Sequence, residues 1–226
     1  MVLGIDEAGR GPVIGPMVIA GVQIDKKDLE KLRPMGVKDS KLLSPSRREA
    51  LAPQIKRMAK KIKIIVLEAK EIDRLREIKS LNQIELEAFA EIINDIGDEE
   101  VFLDLPEAGK KWTWTLKRKI PLQTKLVAEH KADVKYPIVG AASIIAKVER
   151  DARVRALEKQ IGLEIRSGYP ADPHVILFLK KWLQTHKEFP DFVRKSWATA
   201  QRLSGAKKQK PLTAFRKKKQ KKLSEF

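Results

Sequence analysis

Val2-Leu3-Gly4-Ile5-Asp6-Glu7-Ala8-Gly9-Arg10-Gly11-Pro12, followed by the apolar run Met17 to Ile24, is the stretch from which the architecture can be read. Val2 to Ile5 and Met17 to Ile24 have the apolar, β-branched make-up of buried strands, and the Gly/Pro-rich segment between them marks a loop joining neighbours. Outward from this pair, Ile62 to Leu67, Val101 to Leu105 and Leu126 to Glu129 read as further short strands. Amphipathic stretches lie between them, and strands alternating with helices define an α/β layer architecture. One helix is expected after Ser44, with Pro45 suited to its first turn. Another follows Ser80, where Gln83 completes a Ser-x-x-Gln capping box and Gly97 ends the run. From Pro137 onward the pattern turns helical: Ile138, Ala141, Ala142, Ile145, Val148 and Ala152 share one apolar face, and a second helical run extends from Pro173 to about Lys187.

The chain has 226 residues, 42% of them hydrophobic, which is enough for a substantial core. Lys and Arg number 47 against 30 Asp and Glu, a net charge of +17, so a polyanion such as nucleic acid or an acidic membrane surface is the expected partner. With no cysteine, disulfides, thiolate metal sites and cysteine nucleophiles are all excluded, and any metal must be held by oxygen or histidine. The first residues carry acids where a secretory signal needs a basic and then an apolar region. The longest apolar stretch, Val13 to Val22, is interrupted by Gly15 and Pro16. A soluble, cytoplasmic protein is expected. Residues 206–226 hold nine Lys or Arg and a single acid, Glu225, and read as a basic tail that stays disordered until bound. The expected organisation is an α/β unit over 1–150, a helical region over 151–205 and the tail over 206–226.

In so basic a chain the informative residues are carboxylates in apolar surroundings. Asp6 and Glu7 end a buried strand, and side chains alternate along a strand, so the two face opposite sides while it lasts; otherwise one already belongs to the turn. Asp104 closes Val101-Phe102-Leu103, and Asp133 lies just past Leu126 to His130. Carboxyl ends of strands are where ligands gather in open parallel sheets. Carboxylates gathered in one pocket raise one another's pKa unless a cation neutralises them, and Mg²⁺ prefers such oxygen ligands beside substrate phosphates. Each acid taken singly reads first as a solvated strand end or turn former, ahead of a metal role. The loop Ala8-Gly9-Arg10-Gly11-Pro12 sets a guanidinium between two glycines, where backbone can approach a ligand and Arg can pair with phosphate. It lacks the third glycine of a dinucleotide fingerprint, since Ile14 stands there.

Gly4 to Pro12 together with Val37-Lys38-Asp39-Ser40-Lys41 resembles ribonuclease HII, in its archaeal form. Glu129-His130-Lys131-Ala132-Asp133, the segment Ala141 to Asp151 and Ser167-Gly168-Tyr169-Pro170-Ala171-Asp172-Pro173 follow in the family's order, so the resemblance spans about residues 1 to 200. It implies a ribonuclease H-like mixed β-sheet flanked by helices with a smaller C-terminal helical region. The implied activity is an endonuclease that cuts RNA in RNA/DNA hybrids and on the 5′ side of single ribonucleotides in duplex DNA. Carried over by position, Asp6, Glu7, Asp104 and Asp133 become catalytic acids binding Mg²⁺ or Mn²⁺, with two metals activating water and stabilising the departing 3′-oxygen. Gly9, Arg10, Gly11 and Tyr169 resemble the family's apparatus for sensing the 2′-hydroxyl. Ser40 and Lys41 then hold a neighbouring phosphate, although Leu42 replaces a second lysine common in relatives; the alternative is a polar turn. Ser143 and Lys147 share a helix face and either approach the site or meet solvent, with a structural role expected for Lys147. His130, His174 and His186 have no metal-ligand spacing. Trp112 and Trp114 are expected to pack.

In the tail, Gln209-Lys210-Pro211-Leu212-Thr213-Ala214-Phe215 is similar to a sliding-clamp-binding peptide anchored by Gln209, Leu212 and Phe215, with Arg216 in place of the usual second aromatic. A basic arm adding nonspecific phosphate affinity is the other reading. Two rival classes explain less: a noncatalytic nucleic-acid binder gives no reason for the acids, and a phosphotransferase lacks its Gly-x-x-x-x-Gly-Lys loop.

Overall fold

The computed structural model describes residues 1–37, 42–97, 100–105 and 109–205. Five strands, β1 (Val2–Ala8), β2 (Met17–Ile24), β3 (Lys61–Leu67), β4 (Glu100–Asp104) and β5 (Lys125–Glu129), form one sheet in the order β3-β2-β1-β4-β5. β1 and β2 pair antiparallel, as do β2 and β3, whereas β1, β4 and β5 run parallel. The expected mixed sheet is therefore present, and the N-terminal strand lies at its centre.

Nine α-helices surround the sheet among the described residues: α1 (Leu29–Leu32), α2 (Pro45–Met58), α3 (Ala69–Arg76), α4 (Leu81–Ile96), α5 (Gly109–Lys117), α6 (Ala132–Lys135), α7 (Pro137–Ile161), α8 (Pro173–Thr185) and α9 (Ala198–Leu203). Their ends follow the sequence signals. Ser44 caps α2 through its side chain, ahead of Pro45. Ser80 and Gln83 form the reciprocal capping box of α4, and Gly97, at φ 66°, stops that helix where a side chain would be strained. Among the described residues no helix is long and apolar enough to cross a membrane.

Alternation along the strands sorts the core into two layers. Val2 and Ala8 of β1 and Val18, Ala20, Val22 and Ile24 of β2 pack beneath α2 and α7. Leu3 and Ile5, with Met17 and Ile19, pack beneath α4 and α5. Each face also carries a glycine where a helix lies directly on a strand. A Cβ at Gly4 would run into the carbonyl of Ile138 in α7, and one at Gly21 into the side chain of Ile92 in α4. The third cluster joins the N-terminal loop to the C-terminal segment, with Val13, Ile14, Val154, Ile165, Val175, Leu179, Phe189 and Val193 buried together. α7 runs unbroken across residue 150, where the sequence placed a boundary between units, and carries residues of both the first and third clusters.

Candidate active site

The strand expected to end at Ile5 continues to Ala8, with Asp6 opposite Ala20 and Glu7 opposite Ile19 in the β2 register. Both acids are thus strand residues on opposite faces, Asp6 toward α7 and Glu7 toward α4. β4 runs parallel beside β1 with Ile5 level with Leu103, so one step further Asp6 and Asp104 stand at neighbouring carboxyl ends. Asp104 Oδ1 accepts a hydrogen bond from the backbone N–H of Ala132, 2.9 Å away, which sets the fully buried Asp133 on α6 beside the same strand ends. The acids converge where the parallel part of the sheet opens, the position at which ligands bind in such sheets.

Electrostatics tie these groups together. Burial pushes the Asp6 carboxyl up to about 6; the Lys147 ammonium and a hydrogen bond from Ser143 oppose the rise, and the Asp104 charge adds to it. Burial, then Asp6, Glu85 and Asp104, hold Glu7 well above the usual carboxylate range. Lys147 Nζ donates to Ser143 Oγ, so the two α7 residues act on Asp6 as a connected pair. Lys147, expected to be structural, lines the cleft with Glu7.

Glu85, which sequence reading passed over, completes the cluster. It is fully buried on α4, and burial raises its carboxyl to about 7 against the pull of Arg10. Arg10 Nε donates to Glu85 Oε1 at 3.0 Å, and Nη2 donates to Asn82 Oδ1. Two residues of α4 therefore fix the guanidinium of the Gly-Arg-Gly loop. The signal was available: Glu85 shares the helix stripe of Phe89, Ile92 and Ile96, a charge at a core position.

The loop is clamped from the other end of the chain. Arg194, also unread in the sequence, is fully buried and donates to the carbonyls of Gly9, Arg10 and Gly15 at 2.6, 3.0 and 3.0 Å. Backbone bonds from Gly15 to Phe192 and from Arg194 to Val13, with an isolated bridge between Ile14 and Val193, pin the same segments. Gly168, at φ 71°, accepts from the N–H groups of Val13 and Ile14 and brings Tyr169 against Gly11, whose absent Cβ leaves room for the ring.

A cleft of about 430 Å³ results, lined by Glu7, Gly9, Arg10, Arg48, Lys147, Arg150, Asp151 and Tyr169. Asp151 accepts from both arginines, at 3.0 Å from Arg48 and 3.2 Å from Arg150, and Arg150 also donates to the Ser167 carbonyl at 2.6 Å. Acids and cations are interleaved around the cleft, an arrangement suited to a phosphodiester approached by cations. Oε2 of Glu7 and Oε2 of Glu85 are buried with no hydrogen-bond donor. Acceptor-only oxygens in a cluster of like charge are the donor set of a hard divalent cation, so the residues fit such an ion. Among the described residues no three acidic or imidazole groups stand close enough to enclose one unaided. The strand ends that carry Asp6 and Asp104 are adjacent.

Ser40, Lys41 and the tail residues Gln209, Leu212 and Phe215 lie outside the described residues. Trp112 packs as expected, edge-on to Phe89, with its Nε1–H donated to the Asn82 carbonyl. Trp114 is exposed beneath Arg118.

The family model for ribonuclease HII matches residues 3–200. The chain belongs to the ribonuclease HII family. A ribonuclease HII of Methanothrix thermoacetophila is 42% identical over 207 residues, which cover 91% of this chain and 98% of the relative. The ribonuclease H2 structure from Pyrococcus horikoshii superposes with a TM-score of 0.84 at 40% identity, covering 90% of this chain and 97% of the other. The ribonuclease HII of a PCNA:RNase HII complex from Archaeoglobus fulgidus gives 0.82 at 40% identity, over 95% and 100%. Ribonuclease HII enzymes are metal-dependent endoribonucleases acting on RNA in RNA/DNA hybrids, and this chain is one of them.

Proposed function

We propose that this ribonuclease HII also cuts on the 5′ side of a single ribonucleotide embedded in duplex DNA, leaving a 3′-hydroxyl. The observation that supports this reading is the contact between Gly11 and Tyr169 beside Glu7. A glycine backbone that comes close to a ligand and a phenol able to bond a ribose hydroxyl form a wall next to the acids. Asp6, Glu7, Asp104 and Asp133 would hold two Mg²⁺ or Mn²⁺ ions, which when bound supply an activated water and neutralise the departing 3′-oxygen. Within the protein, Arg10, Arg48, Lys147 and Arg150 bind and orient the phosphodiester, and Lys147 donates to Ser143 beside Asp6. Ser40 and Lys41 hold an adjoining phosphate. Residues 1–150 carry the chemistry, 151–205 the wall bearing Tyr169, and 206–226 a basic arm. The tail segment Gln209 to Phe215 contacts a sliding clamp, a reading favoured by the Archaeoglobus fulgidus complex. The protein acts in the cytoplasm.

The test uses a duplex with one embedded ribonucleotide and Mg²⁺. Asp6→Asn and Asp104→Asn should each abolish cutting, and titration calorimetry should show weaker Mg²⁺ binding by both variants. Product mapping should find a single nick 5′ to the ribonucleotide with a 3′-hydroxyl. Unchanged rates in either variant remove that residue from the site, and a 3′-phosphate product rejects the mechanism. Clamp binding is checked by pull-down with Phe215→Ala; equal retention rejects it.

A further inference from the structure

The Gly9-Arg10-Gly11 ridge has a second side. There a cleft of about 440 Å³ is lined by Arg10, Gly11, Arg76, Leu81, Ser196 and Trp197. Arg10 lines both hollows, so they share one wall. Gly11 stands between an aromatic residue on each side, with Tyr169 against its Cα and the Trp197 indole N–H donated to its carbonyl at 3.1 Å.

The walls of this cleft are preorganised. The guanidinium of Arg194 lies 4.7 Å from the Trp197 ring centroid, and that of Arg76 lies 4.9 Å from it. Arg76 is exposed at the end of α3 and forms no ion pair among the described residues, so the indole orients a guanidinium whose charge is uncommitted. Asp73 accepts the backbone N–H groups of Lys195 at 2.6 Å and Ser196 at 3.0 Å, which fixes the turn carrying Ser196. The hydroxyl of Ser196 is nevertheless buried without a hydrogen-bond partner. Buried polar groups are normally satisfied, and one that is not, on the wall of a cleft beside an unpaired guanidinium, calls for a ligand oxygen.

We propose that this second cleft binds a backbone phosphate of the substrate duplex, across the Gly9–Gly11 ridge from the bond that is cut. Arg76 supplies the charge and the paired donors, and Ser196 supplies a hydroxyl. The ridge then sits between two backbone positions of one bound nucleic acid, and a phosphate held on its outer side keeps Gly11 and Arg10 seated against the nucleotide on its inner side. The identity of the ligand rests on the function proposed above; the contact itself is tested without any cleavage.

Binding of a fluorescent duplex containing one ribonucleotide is followed by anisotropy in EDTA across a series of salt concentrations, with the intact protein and three variants. Arg76→Gln should weaken binding roughly tenfold and make the log–log salt dependence shallower by about one, the signature of one lost phosphate contact. Arg76→Lys should restore that slope while recovering only part of the affinity, because the charge returns without the fork. Ser196→Ala should weaken binding about tenfold, as for one hydrogen bond to a charged acceptor, with the slope unchanged. In Mg²⁺-supported cleavage Arg76→Gln should raise KM by the same factor. Wild-type affinity and slope in Arg76→Gln would overturn the proposal. A fall in kcat with unaltered binding would do so equally, assigning Arg76 to holding Trp197. If the intact protein leaves the embedded ribonucleotide uncut, the proposed function fails while the salt slopes still decide the cleft.

Discussion

Replacing Arg194 by Met keeps a long apolar stem in a buried position and removes the side-chain donors to three carbonyls of the Gly9–Gly15 loop. The carbonyls of Gly9, Arg10 and Gly15 lose bonds of 2.6, 3.0 and 3.0 Å. Each buried carbonyl left without a donor costs about 1–3 kcal/mol. Opposing this, the variant no longer buries a cation, a charge that Arg150 also disfavours and whose desolvation costs several kcal/mol. The stacking of the guanidinium on Trp197 is lost as well. The balance is a loss of about 4 kcal/mol, in the range found when one partner of a buried charged network is removed. For a domain of this size that lowers Tm by roughly 10 °C. Urea unfolding should show a lower midpoint with an unchanged slope. Cleavage at a temperature where the variant is folded should fall by at least tenfold, because the Gly9 and Arg10 carbonyls beside the cleft are no longer held. Arg194→Lys should fall between, since an ammonium cannot reach three carbonyls as the fork does. A Met variant that melts within about 2 °C of the wild type and cuts at full rate would refute the clamp.

Gly4→Ala should cost about 3 kcal/mol by overpacking, because its Cβ meets the Ile138 backbone, and should slow cleavage since α7 carries Ser143 and Lys147; thermal melts and kcat check both, and a wild-type melt contradicts the contact. Glu85→Gln keeps an acceptor for Arg10 while removing a buried charge, so stability at pH 8 should hold or rise by about 1 kcal/mol, whereas Glu85→Ala should lose about 3 kcal/mol by denaturant titration; equal losses in both would show that the charge is required. The acids also predict a pH profile. Asp6 rises from 3.8 to about 6 and Glu85 from 4.5 to about 7, so the folded chain keeps protons that the unfolded chain releases. Their stabilising contribution is complete below about pH 4 and is lost as pH rises through 6 to 7, about 3 kcal/mol for Asp6 alone. Melting without metal should therefore show this decline, and added Mg²⁺ or Mn²⁺ should raise Tm more at pH 8 than at pH 5; a larger gain at pH 5 would contradict the assignment of these acids to a cation.

Most of the fold could be read from local chemistry. The strands appear as β-branched runs bounded by Gly and Pro, and α2 and α4 begin at capping residues that form the expected bonds. The last residues of β1 were harder to read, because Asp6 and Glu7 look like a strand end; only pairing with Ile19 and Ala20 extends it. Strand order was not written locally either, since it brings Leu3 beside Val101. At the site, the acids stood out because charge in apolar surroundings is costly, and Glu85 carried the same mark on its helix stripe. Arg194 carried none. It is one basic residue in a basic chain, and its burial depends on a loop that precedes it by 179 residues. Lys147 was read as structural because helix periodicity places it on a face without saying what that face meets.

The tie between Arg194 and the N-terminal loop sets an order of events on the ribosome. β1 is translated before β4 and β5, and its acids can reach their strand positions once those strands have emerged. Their companion loop cannot take its final shape until residue 194 has been translated. The nascent polypeptide thus places its strand-borne acids before the loop beside them is fixed.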